Sequence, residues 1–393
     1  MEISLFILQI LNLSSFLIKV KNMNEHSLRN GLSTVQNRKI QLITIGIVLL
    51  IITCTVIVIP IVLLTKHNTQ IETTRAISIT TIATTTTITT LFKINLSNTS
   101  VRSWNPNGIT IAAGNGQGNK TNQLSRPIGF YIDDKTIYIA DSGNNRIVQW
   151  EFNATYGKII TESTGRNQLS NPTDVVLDKK NQSIIICDEA NRRIIRWSIE
   201  NSDQQEIIIS NRNCFSLVID NQRYLYVSNP IKNEIRKWNL EDSNNDGIIV
   251  AGGFGEGTNE NHFNYPTFFF LDQHFSLYIT DRNNNRAMKW FKNATKGILI
   301  AENIGQNQVI NSHDPTGVIL DRFHQIFIAD RFTNRIVRWH ENRDRRPVII
   351  VGYGNGADMH CLNRPHDVSF DTDDNLYVVD TDNHRIQKYL FNK

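Results

Sequence analysis

Two kinds of apolar pattern divide this chain, and the change between them falls near residue 100. Residues 41–65, QLITIGIVLLIITCTVIVIPIVLLT, run from Gln41 to Thr65 without a charge. That exceeds the roughly 20 residues a helix needs to cross a bilayer, so the run predicts one transmembrane helix. Pro60 is tolerable there, because local adjustment in lipid re-satisfies the carbonyl it frees. Beyond Trp104 the apolar residues come instead in short β-branched or aromatic runs bounded by Asn, Asp and Gly, which predict strands. No window in this part keeps a 3.6-residue period long enough for a helical repeat.

The strand pattern repeats. One line reads PIGFYID from Pro127, PTDVVLD from Pro172, CFSLVID from Cys214, PTFFFLD from Pro266, PTGVILD from Pro315 and PHDVSFD from Pro365. A second line follows each, as in YIADSGNNRI from Tyr138 and YVVDTDNHRI from Tyr377, and an aromatic closes each unit: Trp150, Trp197, Trp238, Trp290, Trp339 and Tyr389. Successive units are 45, 42, 52, 49 and 50 residues apart, the range of solenoids and propellers. Short strands and turn residues choose the propeller, with about four strands to a blade. After Tyr389 only four residues remain, so the sixth unit lacks its outermost strand. The segment Trp104–Gly114 supplies an aromatic followed by a strand ending in Gly, and is expected to complete that blade. The fold class predicted is all-β, a six-bladed β-propeller over residues 101–393 closed by its N-terminal strand.

The D-x4-R-I line after a Y-I-x-D strand, with the Pro-led line before it, resembles the NHL-repeat family over about 290 residues. The resemblance implies a platform for protein or RNA partners; some related six-bladed propellers are enzymes. In peptide-amidating lyases of this architecture several blades supply a zinc-binding His just after the blade-initial Pro. The matching positions here are Ile128, Thr173, Phe215, Thr267, Thr316 and His366, a single histidine where catalytic zinc needs about three ligands. His313, Asp174 and Asp367 leave a mixed calcium or zinc site in the central channel open, but the expectation is no resident cofactor or metal and no catalytic residue. Ubiquitin transfer, which some NHL proteins perform, needs paired CxxC motifs; the cysteines are Cys54, Cys187, Cys214 and Cys361.

Flanking charge sets orientation. Lys19, Lys21, Arg29, Arg38 and Lys39 precede the apolar run, whereas Lys66 and Arg75 are the nearest cations after it. The first 40 residues are therefore expected in the cytosol and the propeller outside or in a lumen, as a single-pass membrane protein. The apolar stretch 3–18 is a signal-like region, a second short span or a gene-start artefact if translation begins at Met23. Each choice leaves the propeller on the same side. Residues 66–100 are dense in threonine and read as a stalk, O-glycosylated or bare. N-glycosylation sequons fall at Asn95, Asn98, Asn119, Asn153, Asn181 and Asn293; a chain this rich in Asn gives about as many by chance, and Asn12 makes one on the cytosolic side. A net charge of +4 over 393 residues is unremarkable, and the expected topology withholds the cytosolic access that RNA binding would need, so no nucleic-acid partner is expected.

The recurring pairs Asp141/Arg146, Asp188/Arg193, Asp281/Arg286, Asp330/Arg335 and Asp380/Arg385 read as structural, because every blade needs its turn satisfied. The Gly-rich stretches GNGQGN, GGFGEGTN and GYGNGAD lead into strands rather than helices and so read as turns, not phosphate loops. The third unit departs from the pattern with Cys214, Asn229, Pro230 and Glu234, either as a degenerate blade or as an adapted one. Cys187 and Cys214 fall in consecutive units and are either a disulfide in an oxidising lumen or two buried thiols. Binding is sought where copies differ: Arg282, Arg331, Phe332, His366, Asp367, Asp382 and His384, on the face of the Gly-rich and D-x4-R turns. A recognition scaffold for protein or glycan partners is the leading expectation. The alternative is a metal-dependent lyase or lactonase with its site in the channel.

Overall fold

Alternation of apolar and polar residues, cut by Asp- and Asn-rich turns, folds each unit into a twisted four-stranded antiparallel sheet. The computed structural model describes residues 103–392 apart from 162–167, 202–203, 243–245, 303–313 and 341–347. The expected cytosolic segment, transmembrane helix and stalk lie outside the described residues, as do Asn95, Asn98 and His313. Among the described residues no helix is long and apolar enough to cross a membrane. Residues 102–393 form one compact unit.

Strand β1 (Ile109–Ala113) comes first. Blade I is β2 (Phe130–Asp133), β3 (Thr136–Asp141), β4 (Arg146–Glu151) and β5 (Lys158–Ile159). Blade II is β6 (Pro172–Asp178), β7 (Ser183–Asp188), β8 (Arg193–Ser198) and β9 (Gln205–Ile209). Blade III is β10 (Leu217–Ile219), β11 (Tyr224–Asn229), β12 (Glu234–Asn239) and β13 (Ile248–Gly252). Blade IV is β14 (Pro266–Leu271), β15 (Leu277–Asp281), β16 (Arg286–Trp290) and β17 (Ile298–Glu302). Blade V is β18 (Pro315–Leu320), β19 (Gln325–Asp330), β20 (Arg335–His340) and β21 (Val348–Val351). Blade VI is β22 (Pro365–Phe370), β23 (Leu376–Asp380) and β24 (Arg385–Tyr389), and β1 pairs antiparallel with β24 as its fourth strand. The ring is thus a six-bladed β-propeller closed by the N-terminal strand, as the repeat count and the missing strand predict. Trp104 secures the closure: its ring is buried against Phe327 and Phe391, and its Nε1–H donates to the Asp374 carbonyl at 2.8 Å.

The core is not central but divided into six apolar clusters, one between each pair of neighbouring blades. The closing aromatics Trp150, Trp197, Trp238, Trp290, Trp339 and Tyr389 are all buried within them. Truncating a buried ring of this size typically costs about 3–5 kcal/mol, so these side chains hold blade to blade.

The innermost strands begin irregularly. Register shifts occur between Pro172 and Asp174, Pro266 and Phe269, Pro315 and Val318, and Pro365 and Val368. A bulge re-aims the side chains beside it, and these lie where the innermost strands enter the ring.

Candidate functional site

The repeated charges are spent inside the blades. Arg146 Nε donates to Asp141 Oδ2 at 2.7 Å, and its two terminal nitrogens donate to the carbonyls of Asn119, Lys120 and Gln123. Arg286 holds the carbonyls of Thr258, Asn259 and His262 in the same way, and Arg385 those of Ala357, Asp358 and Cys361. Asp188 and Asp380 bind Arg193 and Arg385 likewise, and Asp330 lies 3.5 Å from Arg335. Each Gly-rich loop therefore curls its carbonyls around a guanidinium, the opposite polarity to a phosphate loop, whose N–H groups face the ligand. Burial pushes the Asp141, Asp281 and Asp380 carboxyls up, opposed by hydrogen bonds from neighbouring Asn, Arg and backbone N–H groups.

Blade III has no such clamp, since Asn229 and Glu234 stand in place of Asp and Arg. Glu234 instead binds Arg236 at 2.7 Å. Cys214, in the place of the blade-initial Pro, is joined by a disulfide to Cys187 in β7.

Several of the variable residues on the D-x4-R face also have structural partners. His384 adopts the left-handed conformation, and its Nδ1 accepts the Arg126 N–H at 3.1 Å. Asn145, Asn233 and Asn334 do the same for Asn171, Tyr265 and Arg364, so His384 occupies a blade-to-blade link. Burial lowers its pKa. Asp382 lies 3.4 Å from Arg126 and 3.6 Å from Arg364, both exposed. The structure brings Arg282, Arg331 and His366 together around Asp314, a residue not singled out in the sequence. Arg282 and Arg331 both bind its carboxylate, the latter at 2.6 Å. His366 is buried, which with the nearby Arg282 charge pushes its pKa down to about 4. It is neutral at physiological pH, with Nδ1 2.9 Å from the Thr381 hydroxyl. That hydroxyl already donates to the Pro127 carbonyl, so Nδ1 carries the proton. Phe332 stands 70% exposed.

A further opening leads elsewhere. A cavity of about 520 Å³ lies among the innermost strands, within the size range of small-ligand sites. Its walls are largely apolar: Phe130, Val175, Leu217, Phe268, Phe269, Val318 and Val368. Asp174 and Asp367 line it at one end, Tyr131, Lys179, Lys180 and Arg223 at the other. Pro172 pairs with Asp188 beside the D-x4-R turn, whereas Asp178 pairs with Ser183 at the far end of the blade. The Lys179–Lys180 rim therefore belongs to the face opposite the Gly-rich loops. Of the seven candidate binding residues only Asp367 lines this cavity.

Asp174 and Asp367 are the second residues after their blade-initial prolines, Asp174 at the edge of its bulge and Asp367 within it. The carboxylate of Asp174 accepts the N–H of Val175 at 2.9 Å and of Leu217, on the next blade, at 2.8 Å. That of Asp367 accepts Val368 N–H at 2.8 Å and Phe130 N–H, again on the next blade, at 3.3 Å. A side chain at Gly129 would come within 2.6 Å of Asp174 Oδ1, and one at Gly317 within 2.7 Å of Asp367 Cα, so both neighbours must be glycine. Burial pushes Asp174 up to about 7; burial and the Asp174 charge together raise Asp367 well above the ordinary aspartate range. At the rim, burial would raise Asp178, but hydrogen bonds from Arg223 and Asn181 prevail and hold it low. Arg223, Lys180 and Lys179 are further paired with Glu241, Glu241 and Asp133. The cavity thus offers apolar walls, two proton-holding carboxyls and a charge-balanced mouth. Among the described residues, the one group of three His, Cys, Asp or Glu donors close enough to hold a metal does not line this cavity. The column two places after each proline reads Gly129, Asp174, Ser216, Phe268, Gly317 and Asp367. Its two acidic members, Asp174 and Asp367, are the ones the sequence offered for a site in the channel.

Comparison with known proteins bears on the fold. The NHL repeat family profile matches residues 362–389, the last unit. No curated protein matches the chain. Among solved structures, an auxiliary nutrient binding protein from Bacteroides thetaiotaomicron is similar at 13% identity and a TM-score of 0.58, over 74% of this chain and 77% of that one. A second, from Bacteroides ovatus, gives 13%, 0.53, 74% and 78%. A virginiamycin B lyase from Staphylococcus aureus gives 17%, 0.47, 70% and 87%. At such identities the likeness is one of fold.

Proposed function

We propose that the chain is a membrane-anchored recognition module whose propeller, on the extracellular or lumenal side, takes a sugar residue of a glycan partner into the central cavity. The observation that carries this reading is the pairing of Asp174 and Asp367 with phenylalanine walls in one cavity. A pyranose has apolar C–H faces that suit aromatic walls, and an edge of hydroxyl donors that suits carboxyl acceptors. Anchoring rests on the uncharged run 41–65 and its basic N-terminal flank. The Cys187–Cys214 bridge suits an oxidising compartment, and the similar nutrient-binding propellers suit a ligand-binding role.

The test is a glycan array probed with the full-length chain in detergent. Hydrogen bonds of a neutral carboxyl are worth about 0.5–1.5 kcal/mol, so Asp174→Asn and Asp367→Asn should each weaken binding about two- to tenfold. Glycan binding indifferent to both substitutions, or binding to protein ligands alone, would sink the cavity reading. A second reading has one observation in its favour: a carboxyl that holds its proton near pH 7 can act as a general acid. Conversion of a bound glycan to product by the wild type, abolished in Asp174→Asn, would select that reading.

A further inference from the structure

Three Gly-rich loops share one backbone. Each has a bridge, Gln117 to Leu124, Glu256 to Phe263 and Asn355 to Leu362, and each is clamped through three carbonyls by its repeat arginine. Each contains the same tight turn, closed by Gln123 N–H to Lys120 O, His262 N–H to Asn259 O and Cys361 N–H to Asp358 O, all at 3.1 Å. The third residue of the turn is Asn122, Asn261 or His360. Only the blade VI copy places a carboxylate, an imidazole and a thiol at the first, third and fourth positions together.

The geometry points to a zinc site formed by Asp358, His360 and Cys361. One donor atom from each lies within 4.8 Å of the other two. Tetrahedral zinc with bonds of about 2.0–2.3 Å needs donors about 3.3–3.8 Å apart, so a shift of about 1 Å suffices. Asp358 and His360 are exposed and can make it, while Cys361 is buried and fixed. The blade IV copy shows that the turn brings its third and fourth side chains together: His262 Nδ1 and Asn261 Oδ1 are 2.8 Å apart. Beside the thiol the chain places Gly354, where any side chain would lie 3.3 Å from Sγ. The matching glycines, Gly116 and Gly255, have nothing within 4 Å of that position, so the thiol reaches into space the other loops leave empty.

Thiolate with imidazole selects a borderline-soft ion, and a carboxylate as third ligand leaves one coordination position for water. Binding sends the Cys361 proton to solvent, so affinity falls as pH falls. The loop also ties to the start of the propeller, because Gly108 N–H donates to the Met359 carbonyl at 2.7 Å. A metal here braces the blade that closes the ring.

The experiment is a cobalt(II) titration of the full-length chain carrying Cys54→Ser, which leaves Cys361 as the thiol outside the disulfide. One equivalent should produce a thiolate-to-cobalt charge-transfer band that zinc then abolishes. Cys361→Ser should lack the band, and the exposed His360→Asn should keep the fold and lose affinity at least about tenfold, as loss of even an outer partner can cost. No band from the folded chain, or unchanged affinity in His360→Asn, overturns the assignment.

Discussion

A carboxyl buried away from water keeps its proton, and at Asp174 this links the cavity to the stability of the ring. The folded-state pKa of about 7 lies above the ordinary 3.8, so between those values the folded chain holds a proton that the unfolded chain has released. Stability from this source is fully present below the unfolded pKa and is lost as pH rises through 7. Asp367, raised by burial and by the Asp174 charge, acts in the same direction. As pH falls from 8 to 5, His366 and His384, whose pKa values burial lowers, cost stability. The Asp174 share is therefore read by difference: the urea midpoint of the wild type relative to Asp174→Asn should rise over that fall in pH. An equal slope in wild type and variant would show that Asp174 ionises freely. Asp178 and Asp371, held low by their partners, act oppositely, but only as pH falls below the ordinary aspartate value, outside that window. At this scale the sequence revealed the clamps and offered Asp174 and Asp367 for the channel, but not the apolar walls around them. Asp141 and Arg146 recur at fixed spacing, so their structural duty is visible as repetition. Asp174 and Asp367 recur in two blades only, and their aim depends on a local bulge and on the glycines beside them.

Blade III shows how an element survives without the repeat's own fastening. Its inner turn has no Asp–Arg clamp, and the residue that starts its innermost line is covalently tied to β7 of blade II. The two cysteines are 27 residues apart, and closing a loop of that size stabilises by about 3–4 kcal/mol in the chain-entropy account. The bridge is thus of the same order as a buried charge clamp, and it replaces one. Changing Cys187 and Cys214 together to Ala should lower the unfolding free energy by about that amount, read as a shift in the denaturant midpoint against the oxidised wild type. A midpoint that does not move would mean that blade III is held by apolar packing alone. Residue types at two positions left disulfide and paired thiols open, because pairing depends on how neighbouring blades approach. The strands themselves were plain in the sequence, since each alternates in short runs between strong turn signals.

For the whole molecule, the number of blades and the closing strand follow from counting units and finding one strand missing at one end and spare at the other. Which side of a membrane the ring occupies is a separate matter, open to a direct assay. The sequons at Asn153 and Asn293 lie on corresponding turns of blades I and IV, and both asparagines are exposed. If the propeller enters the secretory pathway, peptide N-glycosidase should increase the mobility of the expressed chain. Asn153→Gln with Asn293→Gln should remove much of that shift. A full-length chain without enzyme-sensitive glycan, digested by protease in intact cytosol-facing vesicles, would reverse the orientation.

Ring closure also has a mechanical side. The strand that seals blade VI is the first of the domain, so any tension transmitted along the chain from residue 102 enters at Trp104 and β1. There the two ends of the domain meet: Trp104 bridges to Phe391, and Asn105 N–H donates to the Leu390 carbonyl at 2.8 Å. A pull on this propeller is therefore borne first by its seam. Extraction of β1 would open blade VI while leaving the four strands of every other blade hydrogen-bonded.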